Sequence, residues 1–287
     1  MQRGSFILEE TISTDVMSEA ELAGVLSWAA AEGWNPGLSD AAAFYAADPK
    51  GFFLTKVRET PVAAISVVNH DNQNAFLGLY ICHPDWRGQG LGMATWNFGI
   101  AHAGTRSIGL DGVPDQEHNY RTSGFVKTGS SMRHEGRLDG KQSQNVRLPS
   151  ISDIGALIQL DASANGHARQ TFLRSWLWND EQTRGTRVLV RDGDIVGFAT
   201  WRACNSSTKI GPVVAPDVAA ALELISDIAT FRRDGPLIVD VPEGNADLRK
   251  QLESWGFTVP FVTARMYRGT PPEAGPSLQA IATMELG

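Results

Sequence analysis

Cysteine is scarce in this chain, and the residue groupings that hold metals or build disulfide frameworks are missing. The 287 residues include two cysteines, Cys82 and Cys204, without metal-binding or redox spacing, and the six histidines form no H-x-x-x-H pair. No run of about 18 apolar residues is present, and the N-terminal residues lack the apolar core of a secretory signal. We therefore expect no metal, no disulfide, no membrane partner and a cytoplasmic location.

Positive charge is also in deficit. Lysine and arginine number 25 against 32 aspartates and glutamates, which gives a formal net charge of −7. A nucleic-acid surface requires clustered basic residues, whereas those between Arg169 and Arg202 are interrupted by acidic ones. We expect no nucleic-acid partner, and the content of apolar (42%) and charged (20%) residues is typical of globular proteins.

The segment from Leu79 to Gly92 has the pattern of a buried strand, a glycine turn and the start of a helix. The turn, Arg87 to Gly92, can direct consecutive N–H groups at one anion, and the helix N-terminus adds about half a positive charge. The Lys-Ser/Thr pair of a P-loop is missing after Gly92, and glycines at 88, 90 and 92 do not match the G-x-G-x-x-G of dinucleotide folds. The turn is predicted to hold a pyrophosphate.

This turn, R-x-x-G-x-G after a strand that ends in His83-Pro84, resembles the acyl-CoA pyrophosphate loop of the GNAT superfamily of N-acetyltransferases. A second match follows at the distance that family requires, because Tyr120 stands four residues before Gly124-Phe125. In the family this tyrosine is often the general acid that faces the CoA sulfur. The alternative interpretation is a glycine turn that binds no phosphate, together with a buried tyrosine.

The chain also repeats itself. Val57–Ile65 aligns with Val190–Phe198 at a shift of 133 residues, and Gly124-Phe125 aligns with Gly256-Phe257 at a shift of 132. The order of strands and helices is the same in each half, as expected of a duplicated unit. We predict an α+β fold of two tandem GNAT-like domains, residues 1–138 and 148–287, each a mixed, mainly antiparallel sheet flanked by helices.

The second half lacks the residues that carry the resemblance. Its counterpart of the turn, Ile210–Asp217, has lost the R-x-x-G-x-G pattern, and its prolines remove N–H donors. Leu252 stands where the tyrosine is expected. We therefore predict that this half binds no CoA.

Secondary structure is predicted from hydrophobic periodicity and capping residues. Helices are expected at 19–34, 39–48 (with Ser39 or Asp40 as N-cap), 91–102, 151–165 and 169–179. Strands are expected at 52–58, 62–69, 75–82, 107–113, 187–191 and 195–202. The tail, Ser277–Gly287, is expected either to add a strand or to cross to a partner.

The resemblance implies acetyl transfer from acetyl-CoA, as co-substrate, to an amine by direct attack in a ternary complex. The strand before the turn would pair with the pantetheine arm and polarise the thioester through a backbone N–H. The matching strand residues are Tyr80, Ile81 and Cys82, and those of the turn are Arg87, Gly88, Gln89, Gly90, Leu91 and Gly92.

The general base is less evident, because the strand before the turn offers no carboxylate where the family often has a glutamate. Asp111 and His83 are the candidates, although each also suits a structural role. Cys82 is expected to be a small buried residue rather than a nucleophile.

The acceptor is predicted to be a small-molecule amine, bound in a cleft between the halves. The alternatives are protein or peptide N-acetylation and a non-catalytic acyl-CoA sensor, and a homodimer is possible. Trp176, Trp178 and Trp201 are expected in a core rather than in an acceptor pocket.

Overall fold

The structure is a computed structural model that describes residues 11–177, 182–232 and 235–287. The elements of the first half are β1 Ile12–Val16, α1 Glu19–Ala31, α2 Asp40–Ala47, β2 Phe52–Val57, β3 Thr60–Asn69, β4 Asn74–Cys82, α3 Leu91–Ile100, β5 Ser107–Gly112, α4 Glu117–Thr122 and β6 Val126–Gly136. The elements of the second half are β7 Val146–Arg147, α5 Ile154–Asn165, α6 Gln170–Trp176, β8 Arg184–Arg191, β9 Asp194–Ala203, β10 Thr208–Val214, α7 Val218–Ala229, β11 Leu237–Pro242, α8 Ala246–Ser254, β12 Thr258–Arg268 and β13 Leu278–Ala280.

Every helix and strand predicted above is present, with ends that differ by a few residues. Helix α1 stops at Ala31 rather than at Trp34, because Gly33 adopts a φ of 81° and ends the helix. Helix α6 ends at Trp176, and the predicted continuation through Trp178 and Asn179 lies outside the described residues.

The N-cap of α2 is Ser39, one of the two expected residues. Ser39 occupies the cap position without a side-chain capping hydrogen bond. The Asp40 carboxylate instead accepts the Gly37 N–H at 2.7 Å and pairs with Arg184 of β8 at 2.7 Å. The acidic residue at the start of this helix therefore docks the first half onto the second.

A single mixed sheet runs through both halves. Its strand order is β1-β2-β3-β4-β5-β12-β6-β11-β10-β9-β8-β7, and β13 pairs with β10 beside this path. The contacts are antiparallel except for β4 with β5 and β10 with β11, which are parallel. This confirms the predicted fold class.

The last long strand of each half lies within the other half. Strand β12 is inserted between β5 and β6, and β6 is inserted between β12 and β11. At the centre of this exchange Ser131 lies opposite Thr263, residues that the 132-residue shift relates. The exchange is therefore reciprocal about a local twofold axis, and neither half contains all the strands of its own sheet.

Trp176 lies in the core between the halves and Trp201 in the core of the second half, as predicted, whereas Trp178 lies outside the described residues. Trp176 is fully buried, stacks on Phe44 of α2 and donates from its indole nitrogen to the Gly211 carbonyl oxygen at 3.0 Å. The guanidinium of Arg202 lies 4.7 Å from the centre of the same ring. Trp201 is also buried, at 2% exposure.

No helix that the structure describes is long and apolar enough to cross a membrane. Within the same residues, no three His, Cys, Asp or Glu side chains are grouped so that they could hold a metal ion.

Candidate active site

Strands β4 and β5 run side by side and then separate, which opens a cleft in the sheet. Their pairing reaches Leu77 opposite Leu110 and ends there. Directly afterwards the register of β4 against β3 shifts, and Leu79 adopts a φ of 47°. Such a bulge redirects the backbone, and a left-handed φ is uncommon for a residue with a side chain. The backbone from Gly78 to Tyr80 lines the cleft as a result.

The glycine turn lies between β4 and α3. Gly88 and Gly90 have φ values of 78° and 81°, and no atom lies within 4 Å of the position that a Cβ would take on either residue. Gly90 is the N-cap of α3 and offers no side-chain cap, so the first N–H groups of the helix lack a side-chain partner there. This open, exposed turn has the shape and the donors that a phosphate group requires.

The turn is tied to its surroundings by Arg87. Its Nε donates to the Cys82 carbonyl oxygen at 3.0 Å, and one terminal nitrogen pairs with Glu32 after α1 at 2.5 Å. The Gln89 side-chain amide donates to the Asp85 carbonyl oxygen at 3.4 Å. Arg87 therefore holds the turn against β4 and α1, and both side chains are engaged within the chain.

Three further residues of the predicted site serve mainly as packing. Leu91 is buried beside Val62, and Ile81 is buried in the larger core between the halves. A Cβ on Gly92 would lie 3.0 Å from the Tyr80 hydroxyl. Gly92 thus permits the close approach of Tyr80 to the start of α3.

Tyr120 projects from α4 into the cleft. Its side chain is 7% exposed, its ring stacks on Trp96 of α3 at 5.8 Å, and a Cβ on Gly112 would overlap the ring. Burial raises the pKa of Tyr120 well above its usual value, with a smaller contribution from Tyr80. The phenol therefore retains its proton at neutral pH and can act as a donor.

A cavity between the two halves contains this tyrosine and the bulge. Its walls come from strands β4, β5, β6 and β12, from the segments after α1 and β5, from α4 and from the C-terminal tail, and they include Trp34, Leu77, Gly78, Leu79, Tyr80, Leu110, Asp111, Val113, Gln116, Tyr120, Arg133, Phe261, Thr263, Met284 and Glu285. The lining is largely apolar and aromatic, with a few polar groups, as small-molecule sites are.

Asp111 lines this cavity, but its carboxylate is already engaged. It accepts hydrogen bonds from Ser131 at 2.8 Å, from Thr263 at 3.1 Å and from two nitrogens of Arg265 at 3.0 and 2.6 Å. These four donors occupy the carboxylate oxygens and leave little room for a hydrogen bond to an acceptor amine. These surroundings favour a structural role over the catalytic role predicted for Asp111.

The second half contains an equivalent pair. Arg133 of β6 donates to both carboxylate oxygens of Asp240 on β11, at 2.9 and 3.1 Å. Burial alone would lower the pKa of Arg133, but the field of Asp240 and its hydrogen bonds raise it overall. One pair fastens β5 to the exchanged strand β12, and the other fastens β11 to the exchanged strand β6. The second half lacks the glycine turn and still keeps such a pair. The pair therefore has a structural role that does not depend on catalysis.

Neither His83 nor Cys82 reaches the cavity. His83 lies beside Trp28, with ring centres 5.8 Å apart, and 3.7 Å from the exposed Asp85 carboxylate. Burial raises the pKa of the Cys82 thiol, so the thiol is the less nucleophilic, protonated form at neutral pH.

Sequence reasoning missed the contribution of the tail. After β13 the chain crosses to the first half, where Met284 and Glu285 line the cavity and the Leu286 carbonyl oxygen lies 2.7 Å from His70 Nε2. The expected alternatives were an added strand or a crossing to a partner, and the tail does add a strand, within its own chain. Its mostly apolar residues predict burial but do not indicate which surface buries them.

The tail also fills the cleft of the second half. Strands β10 and β11 separate as β4 and β5 do, but β13 pairs with β10 there and the Ile281 N–H donates to the Asp240 carbonyl oxygen at 3.0 Å. Gly211 corresponds to Gly78, and a Cβ on either glycine would overlap a tail carbonyl oxygen, that of Ile281 or of Glu285. Pro212, the counterpart of Leu79, has no N–H to offer.

Comparisons with known proteins agree with this architecture. Residues 20–125 match the acetyltransferase (GNAT) family model, and residues 157–279 match an acetyltransferase (GNAT) domain model. The holothin acyltransferase of Pseudoalteromonas sp. (strain SANK 73390) is 33% identical over 270 residues, which cover 92% of this chain and 90% of that protein.

Solved structures show the same fold. A candidate acetyltransferase from Pyrococcus horikoshii has a TM-score of 0.80 at 18% identity and covers 100% of this chain and 99% of its own. A tandem GNAT protein from the clavulanic acid biosynthesis pathway has a TM-score of 0.61 at 13% identity, with 92% and 100% covered.

A sheet that opens after a bulged strand, followed by a glycine turn at a helix N-terminus, defines the fold of acyl-CoA-dependent N-acyltransferases. The chain belongs to the GNAT N-acetyltransferase family and carries two GNAT domains in tandem.

Proposed function

We propose that the chain transfers the acetyl group of acetyl-CoA to a primary amine of a small molecule, by direct attack in a ternary complex. The observation that carries the proposal is the cavity between the halves, which the bulge of β4 and Tyr120 line together with residues of both halves. The acetyl donor would bind in the first half only, with its pyrophosphate on the turn Arg87–Gly92 and its pantetheine arm along Tyr80–Cys82.

The backbone around Leu79 and Tyr80 would polarise the thioester carbonyl. Negative charge develops on that oxygen only in the transition state, so an oriented N–H there accelerates the reaction, and its loss typically costs about 100-fold to 1,000-fold. Tyr120 would donate its proton to the departing thiolate, a contribution of about 100-fold to 10,000-fold. Asp111 would act indirectly, because its ion pair with Arg265 holds β5 and β12 in place around the cavity.

A small acceptor fits the enclosure better than a peptide. Trp34 lines one part of the cavity, Phe261 of the exchanged strand lines another, and Met284 and Glu285 of the tail add to its walls. A peptide acceptor requires an extended groove, which these elements from both halves restrict. The name of the relative, holothin acyltransferase, also supports a small-molecule acceptor for this chain.

The proposal is tested by incubating the purified chain with acetyl-CoA and a panel of small alkyl and aryl amines, amino acids and peptides, and measuring thiol release. We expect release with at least one small amine and one acetyl-CoA site per chain by calorimetry. Release with peptides alone would favour the alternative of peptide N-acetylation. Tight acetyl-CoA binding without transfer to any acceptor would favour the sensor.

A further inference from the structure

We propose that Glu285, carried by the C-terminal tail, is the general base that removes the proton from the acceptor amine. The inference rests on the proposed function, because it concerns the acceptor side of the same cavity. A base is needed there, since an alkyl ammonium with a pKa near 10.4 is only about 0.1% neutral at pH 7.5. Only the neutral amine has the lone pair that attacks.

Proton transfers accompany the making and breaking of bonds. The ammonium gives one proton to the Glu285 carboxylate, the nitrogen forms a bond to the acetyl carbonyl carbon, and the carbon–sulfur bond breaks. The thiolate takes the proton of Tyr120, and the second proton of the nitrogen returns to the tyrosine. Glu285 then releases its proton to solvent, so that amide, thiol and one proton are the products.

The path of the tail brings Glu285 to this position. The main chain of Glu285 passes against Gly78, where a Cβ would overlap it, and the bulge of β4 begins at the same residue. Glu285 is 5% exposed and shares the cavity with Tyr120. The proposed base therefore lies at the acceptor wall of the cleft, beside the backbone assigned to the thioester.

The carboxylate is held but not neutralised. Thr283 donates a hydrogen bond to one of its oxygens. Arg133, the cation of the cavity wall, is committed to Asp240, and Lys209 donates to the Trp34 carbonyl oxygen at 3.0 Å. Among the residues that the structure describes, no cation lies within ion-pair distance of Glu285. Its surroundings differ in this respect from those of Asp111, which accepts four hydrogen bonds.

Several other charged or titratable groups lie on the elements packed around the tail. They are Tyr80 on β4, Asp111 on β5, Tyr120 on α4, Arg133 on β6, Arg202 on β9, Cys204 after β9, Lys209 on β10 and Asp240 on β11, with His70 and Arg169 at the last two residues of the tail.

The test compares Glu285→Gln with Glu273→Gln, a matched loss of one carboxylate at an exposed position shortly before the tail. With an alkyl amine at pH 7.5 we expect kcat of Glu285→Gln to fall by at least about 100-fold while the Kd of acetyl-CoA is unchanged. The rate of this variant should rise about tenfold per pH unit, as the neutral amine does. Glu273→Gln should behave as the wild type.

An aryl amine, which is already neutral at pH 7.5, distinguishes a general base at position 285 from a residue that only lines the cavity. With this acceptor the loss in Glu285→Gln should be less than about tenfold. Full turnover of the alkyl amine by the variant, or equal losses with both amines, would overturn the assignment.

The wild type provides an independent measurement if the variant does not fold. Its kcat/KM for total alkyl amine should be nearly constant from pH 7 to 9, because a carboxylate base uses the ammonium directly. A tenfold rise per pH unit in the wild type would exclude the base. If the wild type acetylates no amine at all, the proposed function fails; if it does and only these criteria fail, the Glu285 assignment fails alone.

Discussion

The glycine turn makes its proposed contribution through backbone alone, which a matched pair of substitutions can test. Gly90 in the turn and Gly193 between β8 and β9 both have positive φ and open space where a side chain would begin. Valine at either should destabilise the fold by about 1 kcal/mol or more. We expect calorimetry to show acetyl-CoA binding lost in Gly90→Val and retained in Gly193→Val. Equal affinities of the two variants for acetyl-CoA would show that its pyrophosphate does not bind at this turn.

Tyr120→Phe separates proton donation from packing. The substitution keeps the ring that stacks on Trp96 and removes only the hydroxyl. We expect kcat to fall by at least about tenfold with little change in the Kd of acetyl-CoA, since the hydroxyl is used when the thiolate departs. Single-turnover measurements ensure that chemistry limits the rate. Wild-type turnover in this variant would show that Tyr120 only lines the cavity with its ring and does not donate a proton.

At the residue scale, the predictable part of the site is the part encoded locally. The turn and Tyr120 stand at fixed spacings from strands and helices, and the residues adjacent to them in the sequence predict those strands and helices. The partners of Asp111 come from β6 and β12, and Glu285 arrives from the far end of the chain. Sequence alone could name a carboxylate on β5, but not the four donors that occupy it.

At the scale of elements, the two arginine–aspartate pairs explain how exchanged strands are held. Asp111→Asn and Asp240→Asn should each destabilise the fold by about 3–5 kcal/mol, because each leaves a largely buried arginine without its counter-charge. We expect similar losses of unfolding free energy in urea titrations of both variants. A loss of turnover in Asp111→Asn without any loss of stability would restore Asp111 as a candidate base.

The docking of the tail should weaken in acid. Burial lowers the pKa of His70 to about 3, with smaller contributions from His167 and Arg169, whereas in the unfolded chain the value is 6.5. Below pH 6.5 the unfolded chain binds a proton at His70 that the folded chain does not bind. The contribution of His70 to the free energy of unfolding is therefore complete above that pH and is lost as the pH falls towards 3.

Denaturant titrations at pH 7.0 and 5.0 test this dependence. The contribution of His70 should be up to about 2 kcal/mol between these two values. His70→Gln keeps an N–H donor for the Leu286 carbonyl oxygen and does not titrate, so its stability should change less. An equal change in variant and wild type would exclude His70 as the source.

The elements themselves were predictable, whereas the pairing of two of them was not. Periodicity and caps predicted five helices and six strands in their order along the chain, although others, such as β1, β10 and α7, were not predicted. The sequence of a strand such as β6 does not indicate whether the neighbouring strand in the sheet comes from the same half or from the other half. The insertion of β12 beside β5 depends on contacts more than 150 residues apart, such as Arg265 with Asp111.

At the scale of the whole molecule, the exchange predicts what happens when the chain is cut within residues 137–149. The first fragment keeps the glycine turn but loses β12 and the tail, which leaves the edge of β5 unpaired. We expect it to dimerise or aggregate when alone, and to show no transfer or a raised acceptor KM. Adding the second fragment during refolding should restore transfer. A monomeric first fragment with unchanged KM and turnover would show that the exchange is dispensable.

The reciprocal exchange also constrains how such a chain can change over generations. Two identical subunits that swapped their last strands across a twofold axis would have this geometry, and joining their genes end to end would preserve it. After such a fusion, mutations that destroy the turn or the tyrosine of one copy are tolerated, because the other copy keeps both. Deletion of that copy is not tolerated, because its last strand forms part of the sheet of the other copy.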